Sequence, residues 1–233
     1  MKKLTEPNND QANIGDWVIQ KNNQFIAFNK PAGLPVQADK TEDKSLQDLA
    51  QIYTKQKLYL CNRIDRPATG IVIFAKNQKA AAYISQQFSS KSIDKVYLAV
   101  VKSPFKHKES KVEHLLEKNE KINKSFVVQK ASKFSKPASL GLNLRAESDR
   151  YTLLQIQLHT GRHHQIRAQL AYIGYPIKGD VKYGARRSNK DRSIHLHAWK
   201  LELTHPISKE RIILKAELPQ DSLWQFFKES LLG

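Results

Sequence analysis

The chain has a single cysteine, no long apolar run and few acidic side chains, and each shortage excludes a class of protein. One cysteine in 233 residues excludes an internal disulfide framework and a zinc site built from cysteine pairs. No apolar run approaches the roughly 20 residues of a membrane-spanning helix, and the N-terminus lacks the apolar core of a secretory signal. We therefore expect a cytoplasmic protein with no membrane association.

Basic side chains, in contrast, are abundant. Lys and Arg number 39 against 22 Asp and Glu, which gives a formal net charge of +17 and an isoelectric point near 9.8. A surface of this charge favours the phosphate backbone of nucleic acid as its partner, and a merely soluble basic protein is the plain alternative. Hydrophobic residues make up 40% of the chain, which is enough to build a core.

The order of apolar segments predicts an α+β fold. Helices are expected at residues 45–53 (with Ser45 as N-cap), 78–88, 163–173 and 221–231. Strands are expected at residues 17–20, 25–29, 71–75, 95–101, 152–158 and 212–218. Because strands outnumber helices and alternate with them irregularly, we expect a mainly antiparallel mixed sheet with flanking helices. Residues 1–15 are predicted to be a flexible tail, and residues 16–233 one domain.

Residues 102–136 differ in character from the rest of the chain. Ten lysines are scattered there among few apolar side chains. Two interpretations stay open with equal weight: a solvated face, or a flexible arm that touches phosphates.

One short segment, residues 62–70 (NRIDRPATG), places a carboxylate between two arginines just before a buried strand. The Thr-Gly turn at its end would hold Asp65 rigidly against the core. An isolated aspartate in a loop is most often a cap or a turn former. The positive charges of Arg63 and Arg66, however, favour an ionised carboxylate, which can act as a nucleophile.

A second segment, residues 158–170 (LHTGRHHQIRAQL), is dense in hydrogen-bond donors. If a helix begins near Arg162, then His163, Ile166 and Leu170 share one face, with His164 and Arg167 close together on the surface. A buried Arg167 would need an anionic partner, and Asp65 is a candidate. The spacing alone leaves open whether that pair forms.

Together these segments resemble the signatures of the RluA-type pseudouridine synthases. Residues 62–70 are similar to that family's HRLDRxTSG, and residues 160–167 (TGRHHQIR) match its TGRxHQIR. Further blocks agree at residues 29–36, 95–99, 174–180, 195–198 and 205–206. Because the blocks occur in order over about residues 16–219, the chain is identified as a member of this family.

The resemblance implies a pseudouridine synthase catalytic fold with its active-site cleft across the sheet. It also implies conversion of specific uridines in structured RNA, either transfer RNA or ribosomal RNA, to pseudouridine. Asp65 would be the nucleophile, and Arg167 would pair with its carboxylate. Tyr97 would stack on the flipped uracil and help to move a proton.

Other residues would contact the substrate. Leu170 would form an apolar floor under the base, and Arg63 would enter the space that the base vacates. The remaining expected contacts are Arg66, Thr69, Arg162, His164 and Gln165. Asn62 and Gln169 stand where the family usually has histidine, which puts the RNA contacts near them in doubt.

No metal and no organic cofactor are expected, because the isomerisation is redox neutral and consumes nothing. With only about 15 residues before the first strand, we expect no separate N-terminal RNA-binding module, and we expect a monomer. The main alternative is a non-catalytic RNA-binding protein that kept the fold. A metal site among the histidines and an RNA nuclease using His163 or His164 are weaker alternatives.

Overall fold

The computed structural model describes residues 13–38 and 43–231. Within them, eleven strands form one sheet with four α-helices. The helices are α1 (Leu46–Thr54), α2 (Gln78–Ser89), α3 (Gln165–Tyr172) and α4 (Ser222–Phe227). The strands are β1 (Val18–Lys21), β2 (Phe25–Lys30), β3 (Tyr59–Leu60), β4 (Thr69–Ala75), β5 (Asp94–Lys102), β6 (Lys111–Asn119), β7 (Lys124–Val128), β8 (Lys136–Glu147), β9 (Tyr151–Leu158), β10 (Leu196–Thr204) and β11 (Arg211–Lys215).

The sheet order is β1-β2-β4-β10-β5-β9-β8-β6-β7, with β3 paired to β4 and β11 to β10. All the pairs are antiparallel except β4 with β10, which run parallel over a short contact. The predicted α+β fold on a mainly antiparallel mixed sheet is thereby confirmed.

The short parallel contact depends on a glycine. Gly70 lies opposite Ala198 in the β4–β10 register and has a φ of +112°. A Cβ at this position would stand 2.3 Å from the carbonyl oxygen of Ala198, so only glycine lets the two backbones meet so closely. The contact brings the loop that carries Asp65 against the start of β10.

Alternating side chains place helices on both faces of the sheet. On β5, Leu98 and Val100 pack with the buried aromatic side chains of α4. Ala99 and Val101, which point the other way, pack with Ile166 and other apolar residues of α3. On β2 and β4 the same alternation separates a cluster under α1 from a cluster under α2. The functional loops therefore rest on a sheet that is fixed from both sides.

Several local predictions are confirmed. β1 and β2 form an antiparallel hairpin, and Ser45 caps α1 in a capping box with Asp48. The predicted N-terminal tail lies mostly in residues 1–12, outside the described residues. In the described part of the chain, the first regular element is a 3-10 turn at Ile14–Trp17, which starts two residues before the predicted domain start.

Of the two interpretations left open for residues 102–136, the flexible arm is wrong. β6 and β7 pair with each other, and β6 pairs with β8, so most of this segment belongs to one end of the sheet. Its lysines obscured the strands because they lie in the connecting loops or near strand ends, and only short stretches around the buried Val112, Leu116 and Ser125 separate them. β8 and β10 were not predicted either, because polar residues interrupt their apolar alternation.

Two helices are shorter than predicted. α3 begins at Gln165, since His164 before it adopts a left-handed conformation with a φ of 50°. His163 is therefore outside the helix, and the predicted face shared with Ile166 and Leu170 is wrong. α4 ends at Phe227, followed by a 3-10 turn at Glu229–Leu231. No helix in the described part of the chain is long and apolar enough to span a bilayer.

Candidate active site

A cleft of about 420 Å³ opens between the loop before β4, the loop before α3, and the strands β5 and β10. The loop before β4 contributes residues 61–65, and the loop before α3 contributes residues 159–162. The other lining residues are Ala68, Phe88, Ser89, Lys91, Lys95, Tyr97, Leu158, His164, Gln165, Ile166, Arg167, Leu196 and Leu201. The cleft thus joins the two segments that the sequence singled out, as the resemblance implied.

Asp65 and Arg167 form an ion pair inside this cleft. Nη1 of Arg167 donates a hydrogen bond to Oδ2 of Asp65 at 2.9 Å. The guanidinium is almost fully buried, whereas the carboxylate keeps 24% of its side-chain surface exposed. The more exposed partner of the pair is therefore Asp65. The Asp65–Arg167 pair, which the sequence spacing alone left open, is formed. The expected surface position of Arg167 is wrong.

A second carboxylate, Asp180, holds the other side of the same guanidinium. Its two oxygens accept hydrogen bonds from Nε and Nη2 of Arg167, at 2.7 and 2.9 Å. Burial lowers the pKa of Arg167, but these bonds and the charge of Asp65 outweigh burial and raise it. The guanidinium is thus a fixed cation, oriented by Asp180 toward Asp65.

His164 completes the wall beside Asp65. The Tyr183 hydroxyl accepts a hydrogen bond from the amide of Ser125 at 2.9 Å and lies 3.0 Å from Nδ1 of His164. Nε2 of His164 lies 3.8 Å from Oδ1 of Asp65. Burial lowers the pKa of His164 to about 3. The imidazole is therefore neutral at pH 7.

Tyr97 lies on β5 and lines the cleft. Burial raises the pKa of its hydroxyl, and the negative charge of Asp65 raises it further. The phenol therefore stays protonated at neutral pH, and its ring offers an aromatic surface close to the carboxylate.

A buried lysine anchors the loop that carries Asp65. Nζ of Lys30 donates to the carbonyl oxygens of Pro31, Leu34 and Arg66 at 2.7, 2.9 and 3.1 Å. Burial lowers the pKa of this lysine to about 7, although the charge of Asp65 opposes the effect. The three bonds tie the proline-rich loop after β2 to the backbone next to Asp65, so the carboxylate is held in place from below.

Of the expected substrate contacts, four line the cleft. Arg63 is exposed there, and within the described ranges its side chain forms no ion pair. Nε of Arg162 donates to the carbonyl of Pro137 at 3.0 Å. Gln165 accepts from Thr160 and from the Arg162 amide at 2.7 and 3.0 Å, so its amide holds the loop. The fourth is His164.

Two expected substrate contacts lie elsewhere. Thr69 is buried below the loop, with Oγ1 2.7 Å from Nδ1 of His197. Leu170 is fully buried among core residues and does not line the cleft, whereas Ile166, one turn earlier on α3, does. The structure places neither Thr69 nor Leu170 in the cleft. Leu170 lies on the same face of α3 as Ile166 but one turn deeper in the core. Arg66 binds the Gly33 carbonyl and Asp43, and its contact with RNA stays a prediction.

The two departures from the family pattern are structural. The side-chain amide of Asn62 donates to the Ile71 carbonyl and accepts from the Ile73 amide, at 3.0 and 2.8 Å. Gln169 is fully buried and donates toward the carbonyls of Val112 and Ala138. Both residues fasten the scaffold, and their effect on RNA contacts stays a prediction.

Sequence reasoning missed Asp180, Tyr183 and Lys30 as parts of this site. Asp180 and Lys30 stood inside blocks that matched the family, but no local pattern shows which of 22 carboxylates meets a given arginine. Burial of the single cysteine, Cys61, raises the pKa of its thiol to about 11, so the thiol stays protonated at neutral pH. No cluster of three His, Cys, Asp or Glu side chains suited to a metal occurs within residues 13–38 and 43–231.

Two buried histidines make the fold sensitive to acid. Burial lowers the pKa of His197 to about 4, as it lowers that of His164 to about 3. An unfolded histidine binds its proton near pH 6.5, so between pH 6.5 and 4 the unfolded chain holds protons that the folded chain does not. The contribution of these histidines to the free energy of unfolding should be complete above pH 6.5 and should decrease on acidification, by on the order of 2 kcal/mol for His197 at pH 5.

Urea denaturation at pH 7.5, 6 and 5 measures this dependence. His197→Asn should flatten the profile, whereas His159→Asn, at an exposed histidine, should leave it unchanged. A wild-type profile that is flat from pH 7.5 to 5 would show that these rings are protonated in the folded chain.

Comparisons with known proteins agree with this geometry. The sequence model described as RNA pseudouridylate synthase matches residues 24–172. The chain is 30% identical to the tRNA pseudouridine synthase C of Haemophilus ducreyi, over 89% of this chain and 92% of that protein. It is 30% identical to the protein of the same name from Haemophilus influenzae, over 89% and 94%.

Solved structures show the same fold. The human RNA Pseudouridylate Synthase Domain Containing 4 superimposes with a TM-score of 0.73 at 24% identity, over 94% of this chain and 93% of that one. The match of the family model over more than half of the chain, together with these relatives, shows that the chain belongs to the RNA pseudouridylate synthase family of isomerases.

Proposed function

We propose that this enzyme converts specific uridines of transfer RNA to pseudouridine, with Asp65 as its nucleophile. The observation that carries the proposal is the ion pair in the cleft, where a buried, doubly held Arg167 presents a partly exposed carboxylate. A carboxylate inside a cleft, fixed by a cation behind it, is placed to attack a substrate.

The reaction is balanced without any added reagent. The bond between N1 of uracil and C1′ of ribose breaks, the base turns, and a bond forms between C5 and C1′. The hydrogen leaves C5, and N1 ends with a proton. Every heavy atom of the nucleotide is kept, and one proton is taken up at N1 for the one released from C5, so the protein needs to supply only a nucleophile, proton transfer and orientation.

The residues around Asp65 supply these functions. Arg167 holds the carboxylate and aims it into the cleft. Tyr97 stacks against the base and, because its hydroxyl stays protonated, donates a proton to it before accepting one. His164 lies beside the second carboxylate oxygen, with its Nε2 3.8 Å away.

The target base has to leave its stack to reach this group, since the carboxylate lies inside the cleft. Flipping a base costs a few kcal/mol. Arg63 is exposed at the cleft, where its side chain enters the space that the base vacates and offsets part of that cost. Arg66, Arg162 and Gln165 lie on or beside the loops that meet the flipped nucleotide.

Transfer RNA is favoured over ribosomal RNA because the relatives at 30% identity are named for it. The cleft is built from segments of one chain, so a monomer is sufficient for the chemistry. A cytoplasmic location fits the bacterial relatives and an RNA substrate. A non-catalytic RNA-binding role is not favoured, because Asp65, Tyr97 and Arg167 are all kept and brought together.

Mapping pseudouridine in cellular RNA tests the substrate. RNA from cells with the gene, without it, and without it but supplied with the Asp65→Asn variant should be compared position by position. The proposal expects one or a few positions in transfer RNA to lose pseudouridine without the gene and to stay unmodified with the variant. Loss confined to ribosomal RNA would overturn the transfer RNA assignment.

A further inference from the structure

The cleft continues past Tyr97 toward the end of α2. Side chains two apart on a strand share a face, so Lys95 and Tyr97 of β5 point the same way, roughly 7 Å apart along the strand. Both line the cleft, together with Phe88, Ser89 and Lys91 from the end of α2 and the turn after it. This far end of the cleft is not used by the chemistry assigned to Asp65.

Lys95 is a buried cation without a partner. The residue is only 8% exposed, and within residues 13–38 and 43–231 its ammonium donates no hydrogen bond and forms no ion pair. The nearby carboxylate of Asp94 is occupied by Arg211 and Gln157, each at 3.3 Å. Burial lowers the pKa of Lys95, and the positive charge of Lys91 lowers it further. A lysine in this setting is stabilised when an anion enters the cleft.

The residues around Lys95 offer hydrogen-bond donors to an anion and little electrostatic repulsion. Lys91 adds a second ammonium from the turn after α2. Among all the residues that line the cleft, Asp65 is the one carboxylate, and Arg167 already neutralises it. Asp94, the acidic neighbour of Lys95, is held by Arg211 and Gln157. Two ammonium groups in this setting suit a phosphate, which takes up donors from several directions.

We propose that Lys95 and Lys91 form a subsite for a backbone phosphate of RNA next to the flipped uridine. The inference rests on the proposed function, which places the base between Asp65 and Tyr97. A nucleotide held there carries its flanking phosphates a few ångströms away, within reach of the far end of the cleft. The subsite fixes the strand on one side of the target, so that the flipped base is held at the carboxylate.

The first test is the salt dependence of RNA binding, measured with bulk transfer RNA. Lys95→Met removes the charge and keeps an unbranched, buried side chain. Its log–log slope of affinity against salt should be shallower than the wild-type slope by about 0.7 to 0.9, the loss of one phosphate contact. Lys79→Met, at an exposed lysine of α2 outside the cleft, should keep the wild-type slope. Equal slopes for Lys95→Met and the wild type would overturn the subsite.

The second test locates the phosphate. A synthetic RNA stem-loop with the uridine found by cellular mapping is made with one neutral methylphosphonate, on either side of that uridine. One of these two changes should weaken binding to the wild type several-fold and have no effect on Lys95→Met. The same penalty for both proteins would show that Lys95 does not meet the phosphate.

Two controls keep the outcomes distinct. Lys91→Gln, at an exposed residue, should give a smaller change of slope in the same direction, so the test survives if Lys95→Met fails to fold. Binding slopes need no turnover, whereas release of the C5 hydrogen reports turnover alone. Wild-type turnover with unchanged slopes would reject the subsite only, and absent wild-type turnover would reject the proposed function.

Discussion

Replacing Asp65 with asparagine should abolish isomerisation and leave RNA binding intact. The amide has the size of the carboxylate but lacks the charge that attacks, so turnover should fall by at least about 10⁴-fold. The variant should fold, because Arg167 keeps both of its bonds to Asp180. Release of tritium from RNA labelled at C5 of uracil measures turnover, and a binding titration at constant salt measures affinity.

A matched control distinguishes an effect specific to Asp65 from a general effect of replacing aspartate with asparagine. Asp149→Asn makes the same change at an exposed residue and should retain wild-type turnover and binding. Appreciable tritium release by Asp65→Asn would remove this residue from the central role. Loss of binding together with turnover would instead indicate a collapsed cleft.

Replacing Arg167 with methionine should impair both activity and folding. The change leaves two carboxylates, Asp65 and Asp180, facing a site without a cation. Breaking one partner of a buried pair costs ~3–5 kcal/mol, and here one arginine serves two partners. The free energy of unfolding, from urea denaturation at pH 7.5, should decrease by at least this amount, and turnover should be lost in whatever fraction folds.

The structure offers a control and an internal check. Arg150→Met, at an exposed arginine, should change stability by no more than about 0.5 kcal/mol. If uncompensated charge is the cause, the cost of Arg167→Met should shrink when Asp180→Asn is already present, in a double-mutant cycle. Additive costs would contradict the pairing as the source of the loss.

Much of the fold could be predicted because local signals agreed with the final structure. The run after Gly70 is apolar throughout and forms β4, which is buried on both sides. Ser45 showed the start of α1 as a cap. β6 and β7 were missed because lysines in the loops and near the strand ends leave only short apolar stretches between them.

The active site was likewise predicted in part. Asp65, Tyr97 and Arg167 were identified from motifs, and the structure brings them together in one cleft. Asp180 was not, because its contact with Arg167 is set by how the loop after α3 folds back and not by spacing. Ile166 lines the cleft where Leu170 was expected, because it lies one turn nearer the start of α3, at the end of the helix next to the cleft.

Conversion of uridine to pseudouridine by the purified chain, with no other protein present, would show most directly that this chain is itself the isomerase. RNA from cells that lack the gene would be incubated with the chain in the presence of EDTA, and pseudouridine would then be counted at each position. We expect one pseudouridine to form for each tritium released from C5, at the positions that cellular mapping identifies. Tight binding of the same RNA without any pseudouridine would contradict it and favour a protein that only binds RNA.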